Sequence, residues 1–149
     1  MIFISHRGNI DGQNPERENS PSYIDETIAL GFGVEIDVWF KEGKLSLGHD
    51  GPQYETSIDW LEERRDHLWV HCKNVEAIAE LIDTKVNCFF HYEDEVTLTS
   101  KGVIWAFPGK QPIKKSVAVL PERYDDDLSV CIGICSDFIK NYRDNSESK

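Results

Sequence analysis

Apolar residues recur along this chain in two rhythms, and their alternation predicts the architecture. Short runs rich in β-branched and aromatic residues read as strands at 2–5, 34–38, 68–73, 87–92, 103–107, 116–120 and 131–135. Amphipathic stretches with helical spacing separate the earlier runs. The first covers 21–30, with Ile24, Ile28 and Leu30 on one side, and the second covers 58–64. The third covers 75–83, with Val75, Ile78, Ala79 and Ile82 at three- and four-residue intervals. Ser20-Pro21, then Thr56 or Ser57, then Asn74 mark the helix starts, while Gly31 and Gly33 stop the first helix. Leu45-Ser46-Leu47 alternates like a short hairpin arm that delivers Gly48-His49-Asp50. Residues 141–149 are polar and predict a frayed, disordered tail.

Strand, helix, strand, helix at this spacing predicts an α/β protein with parallel strands. Seven strand candidates within one domain spanning 1–149 favour a barrel over an open sheet. Such barrels ordinarily need ~250 residues, so the expectation is a compact or incomplete TIM-like (β/α) barrel. Functional groups gather at the carboxyl ends of parallel strands. His6, Asp37, the 71–73 segment, the 91–94 segment and Ser136-Asp137 all fall at or near such ends.

The 34–38 run carries the first chemical signal. Val34, Ile36 and Val38 share one face of the strand, so Glu35 and Asp37 share the other, roughly 7 Å apart along the chain. Two buried carboxylates on one face repel each other and lose hydration. An edge strand with that face in water avoids the cost, and so does a divalent cation, which takes oxygen ligands.

Charge narrows the partners. A formal net charge of −11 argues against nucleic acid or an anionic membrane surface. It leaves room for a small phosphate-bearing substrate, because a metal and a few local cations reverse the field inside a cleft. No apolar run approaches the ~20 residues of a membrane span. The opening residues read as a first strand, with neither a basic leader nor a cleavage site. Cys72, Cys88, Cys131 and Cys135 lie in apolar runs without C-x-x-C spacing, which predicts free, buried thiols and a cytoplasmic protein.

Three ordered motifs give the chain a resemblance. His6-Arg7, Glu35-Ile36-Asp37 and His49-Asp50 resemble the H-R, E-x-D and H-D pattern of the glycerophosphodiester phosphodiesterase superfamily. Relatives of that superfamily include phosphatidylinositol-phosphodiesterase-like TIM barrels and the spider sphingomyelinase D enzymes. Glu18-Asn19-Ser20 is similar to the family's E-N-T, and Ser136-Asp137 to its closing T-D. His71-Cys72-Lys73 is similar to its E-x-K or D-x-K strand, with histidine where the family has a carboxylate. The likeness is dense over 1–50 and sparse after 74, where residues 91–105 fit a short, compact branch.

The resemblance implies a metal-dependent phosphoric diester hydrolase acting on a small glycerophosphodiester or lysophospholipid-like substrate. Glu35, Asp37 and His71 are then the metal ligands, for Mg²⁺ or Ca²⁺ first, with Mn²⁺ or Zn²⁺ made more plausible by the imidazole. His6 and His49 match the acid/base pair. Arg7 and Lys73 are candidate phosphate clamps, though an ion pair with Glu35 or Asp37 is an equal alternative for Lys73. Trp39 and Trp105 read either as pocket walls or as core. Asp50 would orient His49 or a loop backbone, and His91 with its acidic neighbours could add ligands. Two alternatives stand beside hydrolysis: a degenerate barrel that binds a phosphorylated metabolite, and a lyase that forms a cyclic phosphate.

Overall fold

The computed structural model describes residues 1–149 and contains the seven expected strands. In chain order the elements are β1 (Ile2–His6), α1 (Pro21–Ala29), β2 (Gly33–Lys41), β3 (Lys44–Leu47), β4 (Tyr54–Thr56), α2 (Ile58–Glu63), β5 (Leu68–Cys72) and α3 (Val75–Leu81). They continue with β6 (Cys88–Phe90), β7 (Val96–Leu98), β8 (Ile104–Ala106), β9 (Ser116–Val119), a 3-10 turn (Pro121–Arg123), β10 (Gly133–Ser136) and α4 (Ile139–Glu147).

Parallel ladders join β6 to β5, β5 to β2, β2 to β1, β1 to β10, β10 to β9 and β9 to β8. The expected hairpin arm is β3, antiparallel to β2, with β4 beyond it, while β7 runs antiparallel to β8. The result is a curled half-barrel of mostly parallel strands. No ladder closes it, because β6 pairs only with β5. Side chains bridge the gap: Thr97 Oγ1 donates to the Phe90 carbonyl (3.0 Å), and the Cys88 amide donates to Ser100 Oγ (2.9 Å). Phe89 and Trp105 meet across the same gap at 4.7 Å between ring centres.

Strand alternation divides the side chains into two populations. Val34, Ile36, Val38, Val70 and Cys72 face outward and pack with Ile24 of α1, Leu61 of α2 and Ala77 and Leu81 of α3. Ile4, Phe89, Trp105, Val117, Val119 and Cys135 point inward and fill the interior. Asn74 shows how the elements lock. It caps α3 by accepting from the Ala77 amide (3.1 Å), and its amide group also bonds Phe40 N and O, fixing the end of β2. Ser57, of the two expected candidates, caps α2 through the Trp60 amide. Ser20 occupies the position before Pro21, yet its hydroxyl makes no capping bond.

The polar tail expected at 141–149 is largely helix instead. Within α4, Ile139 is fully buried against Phe32, Ala118, Cys131 and Ile134, and Tyr142 packs alongside. Arg143 lies over the Phe32 ring and donates to the Leu30 carbonyl, tying this helix to the end of α1. One anchoring face too sparse to register as a periodic pattern therefore suffices. The four cysteines are free and buried, as expected. No helix is long and apolar enough to cross a membrane.

Docking of α4 is measurable. Ile139→Ala should lower the unfolding free energy by about 2–5 kcal/mol, the usual cost of removing a fully buried isoleucine side chain to Cβ. Urea denaturation reads this directly, and an unchanged midpoint would show that the helix contributes no packing.

Candidate metal and acid/base site

All eleven residues singled out from the sequence line one cavity of about 540 Å³ at the carboxyl ends of the parallel strands. Four of the five histidines of the chain are among them. Register explains the convergence. His6 pairs with Glu35 across β1 and β2, and Asp37 pairs with His71 across β2 and β5, so the side chains form adjacent rows on the inner face.

Glu35 and Asp37 are almost wholly buried. Glu35 Oε2 and Asp37 Oδ1 have no hydrogen-bond partner, an expensive state for buried carboxylate oxygens. His71 Nδ1 stands 3.3 Å from Asp37 Oδ1 and 4.0 Å from Glu35 Oε1. One ligand atom from each of the three residues falls within 4.8 Å of the others, a spacing one ion can bridge at ordinary metal–ligand lengths. The group fits a metal ion: its orphaned oxygens are the atoms a cation would satisfy.

The charges agree with this reading. Burial and the neighbouring Asp37 carboxylate push Glu35 well above the usual carboxylate range. Burial acts on Asp37 in the same direction, but the His49 and His71 imidazoles and the Arg7 guanidinium outweigh it and hold Asp37 well below that range. Asn19 fixes Asp37 in place. Its Nδ2 donates to Oδ2 (2.9 Å) and its Oδ1 accepts from the Asp37 amide (2.9 Å).

The two outer histidines are held by opposite kinds of partner. His6 Nδ1 lies 2.7 Å from Asp137 Oδ1, which also accepts from Asn9. Burial opposes ionisation of Asp137, while the bonds from His6, Asn9 and Gln13 keep its carboxyl below the ordinary value. An ionised carboxylate only accepts, so His6 carries a proton on Nδ1 and turns Nε2 toward Glu35 Oε2, 3.8 Å away. His49 is held from the other side of the charge scale: Arg7 Nη2 lies 2.7 Å from its Nδ1 and 3.3 Å from its Nε2. Asp37 Oδ2 lies 3.6 Å from the same Nδ1.

Backbone geometry enforces these positions. Arg7 and Asn19 both adopt left-handed conformations (φ 61° and 65°), unusual for residues with side chains and concentrated at functional sites. Gly48, just before His49, has φ 150°, and a Cβ there would lie 2.0 Å from the Gly51 carbonyl oxygen. Only glycine permits this turn. Trp39 Nε1 donates to the Gly48 carbonyl (2.7 Å), so this tryptophan braces the His49 loop as well as lining the cavity.

The remaining expected residues divide by role. Arg7 is engaged rather than free: Asp37 (3.2 Å), Glu18 (3.6 Å) and His49 claim its guanidinium. Lys73 lines the cavity and its charge lowers Glu35, but it reaches ion-pair distance of neither carboxylate. Trp105 is buried between Phe89 and Trp69 and belongs to both core and cavity floor. His91 stacks on His71 at 4.4 Å and meets Phe107 edge-on. Burial, together with the charges of His71 and Lys73, pulls its pKa down to about 4, so it is a neutral wall. The Asp50 side chain is fully exposed and, at 3.7 Å from His49 Nε2, beyond hydrogen-bond reach, so the orienting of His49 falls to Arg7.

Asn19 appears in the sequence only within the triplet 18–20 and Asp137 only within the pair Ser136-Asp137, and nothing local signals their partners. Asn9 and Glu18, bonded to each other at 2.8 Å, lie in a loop without periodicity.

Replacing Glu35 separates a metal ligand from a structural carboxylate. Its raised pKa means the metal-free protein loses stability as pH rises from the unfolded value, about 4.3, toward the folded one. Glu35→Gln should therefore raise the thermal midpoint of the metal-free protein at neutral pH. It should also abolish the further rise that Mn²⁺ gives the wild type. A variant that is less stable than the wild type, or that still responds to Mn²⁺, would rule out the ligand role.

Comparison with known proteins finds no matching family model, no matching curated protein and no matching solved structure.

Proposed function

We propose that this protein is a metal-dependent phosphodiesterase acting on a small glycerophosphodiester or lysophospholipid-like substrate. Its scaffold would be an abbreviated TIM-like barrel of the glycerophosphodiester phosphodiesterase type. The observation that carries the reading is a pair of differently anchored histidines beside one buried three-ligand cluster. His6 is held through Nδ1 by the Asp137 carboxylate, and His49 stands against the Arg7 guanidinium. Simple retention of a phosphate needs donors only, whereas cleaving a phosphodiester needs one group to take a proton and another to give one.

A divalent ion held by Glu35, Asp37 and His71 would draw charge from the non-bridging phosphate oxygens. His6 takes the proton of the attacking hydroxyl as its oxygen bonds to phosphorus. His49 gives a proton to the departing oxygen as the old P–O bond breaks. Asp137 stabilises the imidazolium that His6 becomes, and Arg7 positions the His49 ring. Lys73, unpaired in the cavity, supplies a point charge to the phosphate. With water as attacker the products are a phosphomonoester and an alcohol. With the substrate's own hydroxyl they are a cyclic phosphate and an alcohol.

His6→Ala and His49→Ala should each lower turnover of glycerophosphodiesters at saturating Mn²⁺ by at least ~10², with folding intact. The double variant should fall little further, since the two groups act in one step. Phosphorus NMR of the wild-type product distinguishes ring closure from hydrolysis. Retained turnover in either single variant removes that histidine from the reaction. Wild-type protein that binds glycerol phosphate without turning over any diester replaces the enzyme with a binding barrel.

A further inference from the structure

We propose that Arg123 makes the cavity selective for phosphodiesters that carry a second anionic group, phosphate or carboxylate, on the arm remote from the metal cluster. The proposal rests on the phosphodiesterase reading above and adds the substrate class. Arg7, Arg17, Arg64, Arg65 and Arg143 each donate a side-chain hydrogen bond within the protein. Arg123 donates none, and it lines the cavity. In a chain with 27 acidic and 16 basic residues, an unclaimed guanidinium beside a substrate-sized cavity is conspicuous. Its acidic neighbour Glu122 is occupied elsewhere, accepting from Ser136 Oγ (2.9 Å) and Tyr142 OH (3.2 Å).

The turn that presents Arg123 is built rather than incidental. Leu120, buried and lining the cavity, follows β9 in a left-handed conformation (φ 47°, ψ 51°) that a branched side chain disfavours. Buried Pro121 follows, and bonds from the Arg123 amide to the Leu120 carbonyl and from the Asp126 amide to the Pro121 carbonyl close the turn. Position around the sheet separates the two free cations. Lys73 follows β5 and Arg123 follows β9, with β2, β1 and β10 between them. Neighbouring strands are roughly 5 Å apart, so Lys73 and Arg123 stand on opposite walls. A phosphodiester carries a single charge, which the metal cluster and Lys73 would already meet. The fork of Arg123 remains for a second anion, which it can hold through two parallel bonds.

Glycerophosphoinositol and glycerophosphoinositol 4-phosphate are a matched pair of probes, sharing the diester and differing by one phosphate on the far arm. Calorimetric titration into Mn²⁺-loaded wild type should show the second bound about 10-fold more tightly. Arg123→Gln should bring that ratio to about one, whereas Lys73→Gln should weaken both probes and keep the ratio. Equal wild-type affinities, or a ratio unchanged by Arg123→Gln, would overturn the proposal while leaving the phosphodiesterase reading intact. If Mn²⁺ binds but neither probe does, both fall together.

Discussion

Two carboxylates on the inner face of β2, with Glu35 Oε2 and Asp37 Oδ1 left without hydrogen bonds, set the conditions that their surroundings must meet. Like charges this close in a dry interior cannot both remain ionised without positive compensation. The surroundings supply it unequally. Asp37 receives Arg7, Asn19 and two imidazoles, which hold it well below the usual carboxylate range, while burial and Asp37 itself push Glu35 well above it. Two carboxylates of one strand thus differ sharply in their hold on a proton. The left-handed backbone at Arg7 and Asn19 follows from the same demand, since both residues must turn back toward Asp37 from the loop that leaves β1.

The compensating groups come from three directions. Arg7 and Asn19 flank the loop between β1 and α1, His71 arrives from β5, and His49 from the turn after β3. Each is fastened by something other than the carboxylates: Gly48 and Trp39 secure His49, and a stack of His91 and Phe89 backs His71. Such bracing fixes the rings by packing and hydrogen bonds independent of the charges they face.

Alternation along β2 and β5 was readable from the sequence because a strand has a fixed two-residue period, and parity alone put Glu35, Asp37, His71 and Lys73 on one face. The seven parallel strands were equally readable, since each is an apolar run bounded by polar residues. Three-residue strands such as β4 and β7 are too short to show a period, and α4 is anchored mainly by Ile139 and Tyr142 in an otherwise polar stretch. Arg7 looked like a free phosphate clamp because its partners Glu18 and His49 are brought near only by the fold. Arg123 gave no signal, since a lone arginine after a proline belongs to no pattern.

The bond between His6 and Asp137 joins residues 131 positions apart, on strands that become neighbours only when β10 lies down beside β1. All three members of the possible metal cluster, by contrast, lie within the first half of the chain. During synthesis from the amino end, the ligands thus emerge long before the carboxylate that directs His6. A nascent chain therefore presents all three residues of the cluster before Asp137 exists, and the bond that orients His6 forms only when the last strand pairs with the first.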